Sequence, residues 1–305
     1  NLDFSWHKKL TFYNKNLPVS SGYIILFFFL IFYHDLNILS KLFILIIFFS
    51  GALSDRLKNF SPILRLSIHF IVSLLFIVKN EVFIVDTRIL LIDNFFDSFQ
   101  FISILFTVFC LLVLINGTNF IDGVNLNAIA YYTIIYLIII YISYSNNFII
   151  DNTYSLKFLA VLVFLMILNS LNKTQLGDGG AYLLAFLTSV YLINFVNLNT
   201  QISPYFIILL LWYPCFENLF SIIRKKYQNK KISLADNLHL HQLIFILLKK
   251  NNISKANNLT GLIIIFYNLP SFILGIQFFD KTKILLLIIL FNLLFYIFIY
   301  NKLII

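Results

Sequence analysis

Charge is scarce in this chain. Only 11% of its 305 residues are Asp, Glu, Lys or Arg, against 60% hydrophobic residues and a mean hydropathy of +0.91. A soluble domain could not cover that much apolar side chain with so little polar surface, so the composition specifies an integral membrane protein. Cysteine is nearly absent. Cys110 and Cys215 each lie inside an apolar run without a partner at useful spacing, which leaves no disulfide framework and no cysteine-metal motif. No signal peptide, internal repeat or soluble domain is legible. The chain opens on Asn1 and a polar stretch instead of an initiator Met, which reads as the remainder of a longer protein.

What is present is a series of apolar runs, most of them long enough to cross a bilayer as helices, at 21–34, 37–53, 63–79, 99–115, 128–145, 156–171, 181–199, 203–223, 259–277 and 284–305. The expected fold class is therefore all-α: a single polytopic domain over 1–305 with about ten transmembrane helices. The stretch 80–98 alternates apolar and acidic residues and reads as an exposed loop or short hairpin. The longest polar insertion, 224–258, has room for a small amphipathic element.

Ten crossings put 1–20, 54–62, 116–127, 172–180 and 224–258 on one face. Of the 22 Lys and Arg, all but Lys41, Lys79, Arg88, Lys157, Lys281 and Lys283 fall there. By the positive-inside rule that face is cytoplasmic. The net charge of +9 then reflects topology and attraction to anionic headgroups, and calls for no nucleic acid. Acidic residues on this face are spread thinly, at Asp3, Asp55, Asp122, Asp178 and Asp236, with Glu217 inside the helix leading into the last loop. One isolated carboxylate is usually a cap. Five loops that each deliver one to the same face, together with Asn116, Asn119, His239 and His241, fit convergence on a site that holds a hard cation and phosphates.

Four stretches carry a family resemblance: "GALSDRLKNFSPILRL" (51–66), "NGTNFIDGVNLNA" (116–128), "LNKTQLGDGGAYLLAF" (171–186) and "ADNLHLHQLIF" (235–245). A weaker fifth, "WYPCFENLFSIIRKK" (212–226), places Glu217 after Pro214. In this order and on one face they resemble the polyprenyl-phosphate N-acetylhexosamine-1-phosphate transferases, glycosyltransferase family 4, and most closely the WecA-type branch. "WHKKLTFYNKNLPVSSG" (6–22) echoes the loop after the family's first helix with His7, Pro18 and Gly22, which implies a further N-terminal helix and about eleven in all.

The resemblance implies a site of cytoplasmic loops in a bacterial inner membrane protein. There a UDP-N-acetylhexosamine gives its sugar 1-phosphate to a polyprenyl phosphate and UMP leaves. It implies Mg²⁺, with Mn²⁺ as the alternative, held by Asp178 and Asn119. Asp55 matches the second of two adjacent acids, the first being Ser54 here. Because a phosphate monoester is largely ionised at neutral pH, positioning suits Asp55 better than strong-base work. Lys58 and Arg65 are placed to meet the lipid phosphate. Asp122 lies one helical turn from Asn119 and so on the same face, with Asn125 a turn further, where the family reads uracil. Lys173 keeps a basic residue for the nucleotide, whereas Gln175 replaces an aromatic. His239 and His241, two apart after Asp236 and Asn237, favour an extended loop and act as donors to phosphate or sugar. Glu217 is expected to support them. Gly177, Gly179 and Gly180 read as room for backbone to approach phosphates, and a homodimer is compatible with the family. The rival readings are the phospho-MurNAc-pentapeptide translocase of the same family, an inactive member, and a polytopic transporter. The last fits poorly, because transport sites gather near the midplane and these polar residues gather at helix ends.

Overall fold

The computed structural model describes residues 17–32, 37–57, 60–231 and 238–304. They form twelve helices: α1 (Ser21–Phe32), α2 (Ile38–Arg56), α3 (Pro62–Asn80), α4 (Leu90–Ser98), α5 (Gln100–Ile121), α6 (Asn127–Asn146), α7 (Asn152–Ser170), α8 (Gly177–Leu198), α9 (Pro204–Tyr227), α10 (Leu240–Lys250), α11 (Ala256–Gln277) and α12 (Thr282–Ile304). Among the described residues nine are long and apolar enough to cross a membrane, and α1, with 12 residues, is apolar but shorter. These ten coincide with the apolar runs of the sequence. The protein is an all-α, multi-pass membrane protein.

Local chemistry sets several helix starts. Asn37 Oδ1 accepts from Ser40 N (2.8 Å) and Asp151 Oδ1 from Tyr154 N (2.9 Å), while α3 and α9 open on Ser-Pro, where proline's missing N–H costs nothing. Helix α4 was not expected, and α10, the small amphipathic element expected in 224–258, starts closer to the histidines than their loop reading implied. The stretch 80–98 holds α4, because Asp93 Oδ1 accepts from both the backbone N and the hydroxyl of Thr87 and so organises the first turn. An acid that looked like a loop marker sits inside the helix and ties it to the preceding loop. In 224–258, α10 begins directly after His239, so only His239 keeps the extended backbone expected of both histidines (φ −76°, ψ 151°), and His241 sits in the first helical turn.

Helix α8 runs through the middle, packed on α1, α2 and α5, and most of its residues from Gly179 to Phe195 are buried. Its close approaches explain two of its glycines. A Cβ on Gly51 of α2 would overlap the Gly179 backbone, and one on Gly22 of α1 would come within 2.7 Å of the Gly180 Cα. Gly179 and Gly180 therefore serve helix crossings, where small residues let the backbones meet, and both also line a cleft between α1, α2 and α8. Across the bundle, a Cβ on Gly117 of α5 would run into the Pro214 carbonyl of α9, which brings the ends of these helices together near Asn119 and Glu217.

Candidate active site

The helix ends at one face assemble two linked clusters. The first surrounds Asp178, the second residue of α8. Asn119, in the last turn of α5, donates its amide N–H to Asp178 Oδ1 (2.7 Å). Ser54 Oγ from α2 and Arg65 Nη1 from α3 donate to Asp178 Oδ2 (3.0 and 3.3 Å). The Asp178 backbone N–H donates to the Asp55 carboxylate (2.9 Å). Gly177 just before it has φ +72°, and a Cβ there would lie 2.8 Å from Asp55 Oδ2, so this glycine is required both by its backbone and by the acid beside it. The Asp178 side chain is 13% exposed, enough to meet a ligand and too little to be a freely solvated cap.

A second layer supports the first. Ser50, His69 and Tyr182 each lie four residues from Ser54, Arg65 and Asp178 respectively, one helical turn away on the same faces. Ser50 Oγ bonds His69 Nε2 (2.8 Å), His69 packs edge-on against Tyr182 (4.5 Å), and Tyr182 Oη accepts from Arg65 (2.9 Å). Sequence reading missed His69 and Tyr182. The i, i+4 pairing of polar residues on three helices was the available signal. Ser54, which looked like a lost acid, is buried here as the link between Arg65 Nη1 (2.7 Å) and Asp178.

The second cluster holds the histidines. Glu217 is fully buried in α9, where its Oε2 meets His239 Nδ1 (2.9 Å) and its Oε1 accepts the Leu240 N–H (3.0 Å). Gln242 Oε1 accepts from His239 N (3.0 Å) and closes the turn. The His239 ring lies against Phe120 (5.0 Å) and parallel to His241 (5.8 Å), and the His241 ring occupies the space a Cβ on Gly123 would need. Arg224 secures the same loop, donating to Leu238 O and Tyr300 Oη. The short segment Asn119 to Gly123 thus touches both clusters.

Other expected site residues lie elsewhere. Helix α5 ends at Ile121, so Asp122 is its buried C-cap, and the expected run of helical turns from Asn119 to Asn125 is broken. Asn125 is fully buried, with Nδ2 bonded to Asn172 (2.6 Å) and Asn258 (2.8 Å) and its backbone N–H bonded to Asn257 (2.8 Å). Asn116 donates to its own helix at Leu112 O, and Lys173 is exposed. Lys58, Asp236 and Asn237 lie outside the described residues.

Beside Asp55 a cleft of about 250 Å³ opens between α1, α2 and α8, with Val19, Tyr23, Phe48 and Leu176 on its walls and Arg56 at its edge. For a divalent cation the donor set fits hard-ion chemistry, with the Asp178 carboxylate and the Asn119 amide side by side. Turning that amide over would set two oxygens against each other, an arrangement that needs a cation between them. Among the described residues no three His, Cys, Asp or Glu side chains cluster as a metal site. A cation here would take most of its shell from phosphate and water.

The sequence model of glycosyl transferase family 4 matches residues 37–196, just over half of the chain, from the start of α2 through most of α8. The chain belongs to glycosyl transferase family 4. No curated protein and no solved structure matches it. As a family 4 member it is a membrane transferase that moves a sugar 1-phosphate to a polyprenyl phosphate. The matched segment contains Asp55, Asn119, Asp122 and Asp178; Glu217 and the histidine loop follow it.

Proposed function

We propose that this family 4 enzyme belongs to the WecA-type branch. It would transfer N-acetylhexosamine 1-phosphate from a UDP-N-acetylhexosamine, UDP-GlcNAc or a derivative, to undecaprenyl phosphate, starting O-antigen or another surface polysaccharide. It would work in the bacterial inner membrane, with the basic face in the cytoplasm. The single observation that carries the reading is the convergence of Asn119, Asp55 and Arg65 on Asp178 at one end of the bundle. "GDGGAY" and "ADNLHLH" favour this branch over the phospho-MurNAc-pentapeptide translocase.

In the reaction an oxygen of the polyprenyl phosphate attacks the β-phosphorus of the UDP-sugar, and the bond between that phosphorus and the bridging oxygen breaks. UMP leaves with the electron pair. Both reactants are anions, so the protein's work is neutralisation and alignment. Asp178 and Asn119 would hold Mg²⁺, which supplies charge neutralisation at the diphosphate oxygens when bound. Asp55, fixed on the Asp178 N–H at the rim of the apolar cleft, would orient the acceptor phosphate, with Arg56 and Lys58 nearby in sequence as its cationic partners. His239, held by Glu217, would donate to the diphosphate or sugar, with His241 beside it and Asp236 and Asn237 leading in. Asn116, Asn125 and Lys173 would serve the nucleotide end, and Asp122 would brace the turn between the clusters.

The test uses membranes containing the full chain, Mg²⁺, polyprenyl phosphate and radiolabelled UDP-N-acetylhexosamines. A butanol-extractable labelled lipid and UMP are expected with one of them, and chelation by EDTA should stop both. Failure with every UDP-N-acetylhexosamine would reject the donor assignment. Asp178→Asn should abolish turnover while leaving the protein inserted, and retained turnover would show that the cation is held elsewhere.

A further inference from the structure

Asp178 divides its two oxygens between different kinds of partner. Oδ1 faces the Asn119 amide at 2.7 Å, whereas Oδ2 accepts from Ser54 Oγ and Arg65 Nη1. The guanidinium that holds Oδ2 is itself fixed at three points, because the same Nη1 also reaches Ser54 Oγ (2.7 Å) and Tyr182 Oη (2.9 Å). Tyr182 stands one turn below Asp178 on the same helix and is packed against His69, one turn along α3 from Arg65. Arg65 therefore cannot swing away from Oδ2 without also leaving a buried hydroxyl on each neighbouring helix.

We infer that Arg65 is a positioning residue that sets the cation preference of the site, by reserving Asp178 Oδ2 so that the carboxylate offers a metal only Oδ1, beside Asn119. The inference rests on the proposal that Asp178 and Asn119 hold the divalent cation. One carboxylate oxygen suits Mg²⁺, which demands near-octahedral geometry at about 2.0–2.1 Å and keeps much of its water. Ca²⁺ takes about six to eight oxygens at about 2.3–2.6 Å and gains from a carboxylate that binds through both oxygens. To bind that way at Asp178, Ca²⁺ would have to break a charge-assisted hydrogen bond and a hydroxyl hydrogen bond in a largely buried place. The arrangement discriminates by withholding one oxygen, with no need for a tighter cavity.

The experiment measures Mg²⁺ and Ca²⁺ binding to the purified full chain without substrates, each by displacement of Mn²⁺ followed by its electron paramagnetic resonance signal. The wild type should prefer Mg²⁺. In Arg65→Gln the ratio of the Ca²⁺ to the Mg²⁺ dissociation constant should fall by about tenfold, the size of one charge-assisted hydrogen bond. Arg65→Lys, which keeps a cationic donor for Oδ2, should restore most of the ratio, and Tyr182→Phe should lower it less than Arg65→Gln does. If both metals weaken in Arg65→Gln by the same factor, Arg65 is only a structural counter-ion and the inference is wrong. Asp178→Asn separates this from failure of the underlying reading: wild-type metal binding that survives Asp178→Asn, or no Mn²⁺ binding at all, overturns the metal assignment and the inference with it.

Discussion

Asp178 at the start of a membrane helix is costly if left bare. The structure surrounds it with an amide, a hydroxyl, a guanidinium and, through its own N–H, a second carboxylate. Glu217 is a comparable case deeper in the protein. Both of its oxygens are committed, one to the His239 ring and one to the Leu240 N–H, so it ties the start of α10 to α9. Glu217→Gln turns one acceptor into a donor against these groups and should weaken that tie by about 1–3 kcal/mol. Faster hydrogen exchange at the start of α10, together with a lower kcat, is the expected outcome. Unchanged exchange would mean that Arg224 and Gln242 hold the loop without Glu217. The family motifs singled out Asp178, Asn119, Asp55 and the histidines as candidates in the sequence. The partners of Ser54 and Arg65 were not legible there, because the two neighbouring helices that carry them meet α8, more than a hundred residues later, only in the fold.

At the scale of elements, the apolar runs gave the ten long or apolar helices because each contains enough consecutive hydrophobic residues to satisfy its own backbone in lipid. Of the two amphipathic helices, α10 was foreseen only as a small element without bounds, and α4 was not foreseen. Each is short, carries polar residues, and starts beside a local polar contact, Thr87 with Asp93 before α4 and the capping His239 with Gln242 at α10. The packing of the glycines was hidden for a related reason. A glycine beside an acid suggests phosphate, and Gly179 also meets Gly51, more than a hundred residues earlier. Gly51→Leu should therefore disrupt the α2 and α8 crossing and lower the detergent melting temperature, because the added atoms meet backbone. An unchanged melting temperature would contradict the packing described. On the opposite face Arg88 reaches four acceptors, the carbonyls of Thr200, Gln201 and Asp280 and the Thr282 hydroxyl. Arg88→Ala should loosen the turns before α9 and α12, read as faster proteolysis there, with little change in substrate KM.

For the whole molecule, many large apolar side chains, Phe27, Phe266, Leu287 and Phe291 among them, face outward while others fill the core, and the catalytic candidates gather at one end of the helices. That asymmetry suits a reaction between a water-soluble nucleotide sugar and a membrane-bound acceptor, and it separates this arrangement from a transport path through the midplane. The expected topology puts most of the basic residues on the same face as Asp178, the face where the proposed reaction would take place. The most direct test of the account is sugar 1-phosphate transfer by purified enzyme in lipid nanodiscs, with polyprenyl phosphate, Mg²⁺ and labelled UDP-N-acetylhexosamine. The account predicts UMP and labelled polyprenyl diphosphosugar in equal amounts, both lost in Asp178→Asn. UMP release without the labelled lipid, or product formation that survives Asp178→Asn, would contradict it.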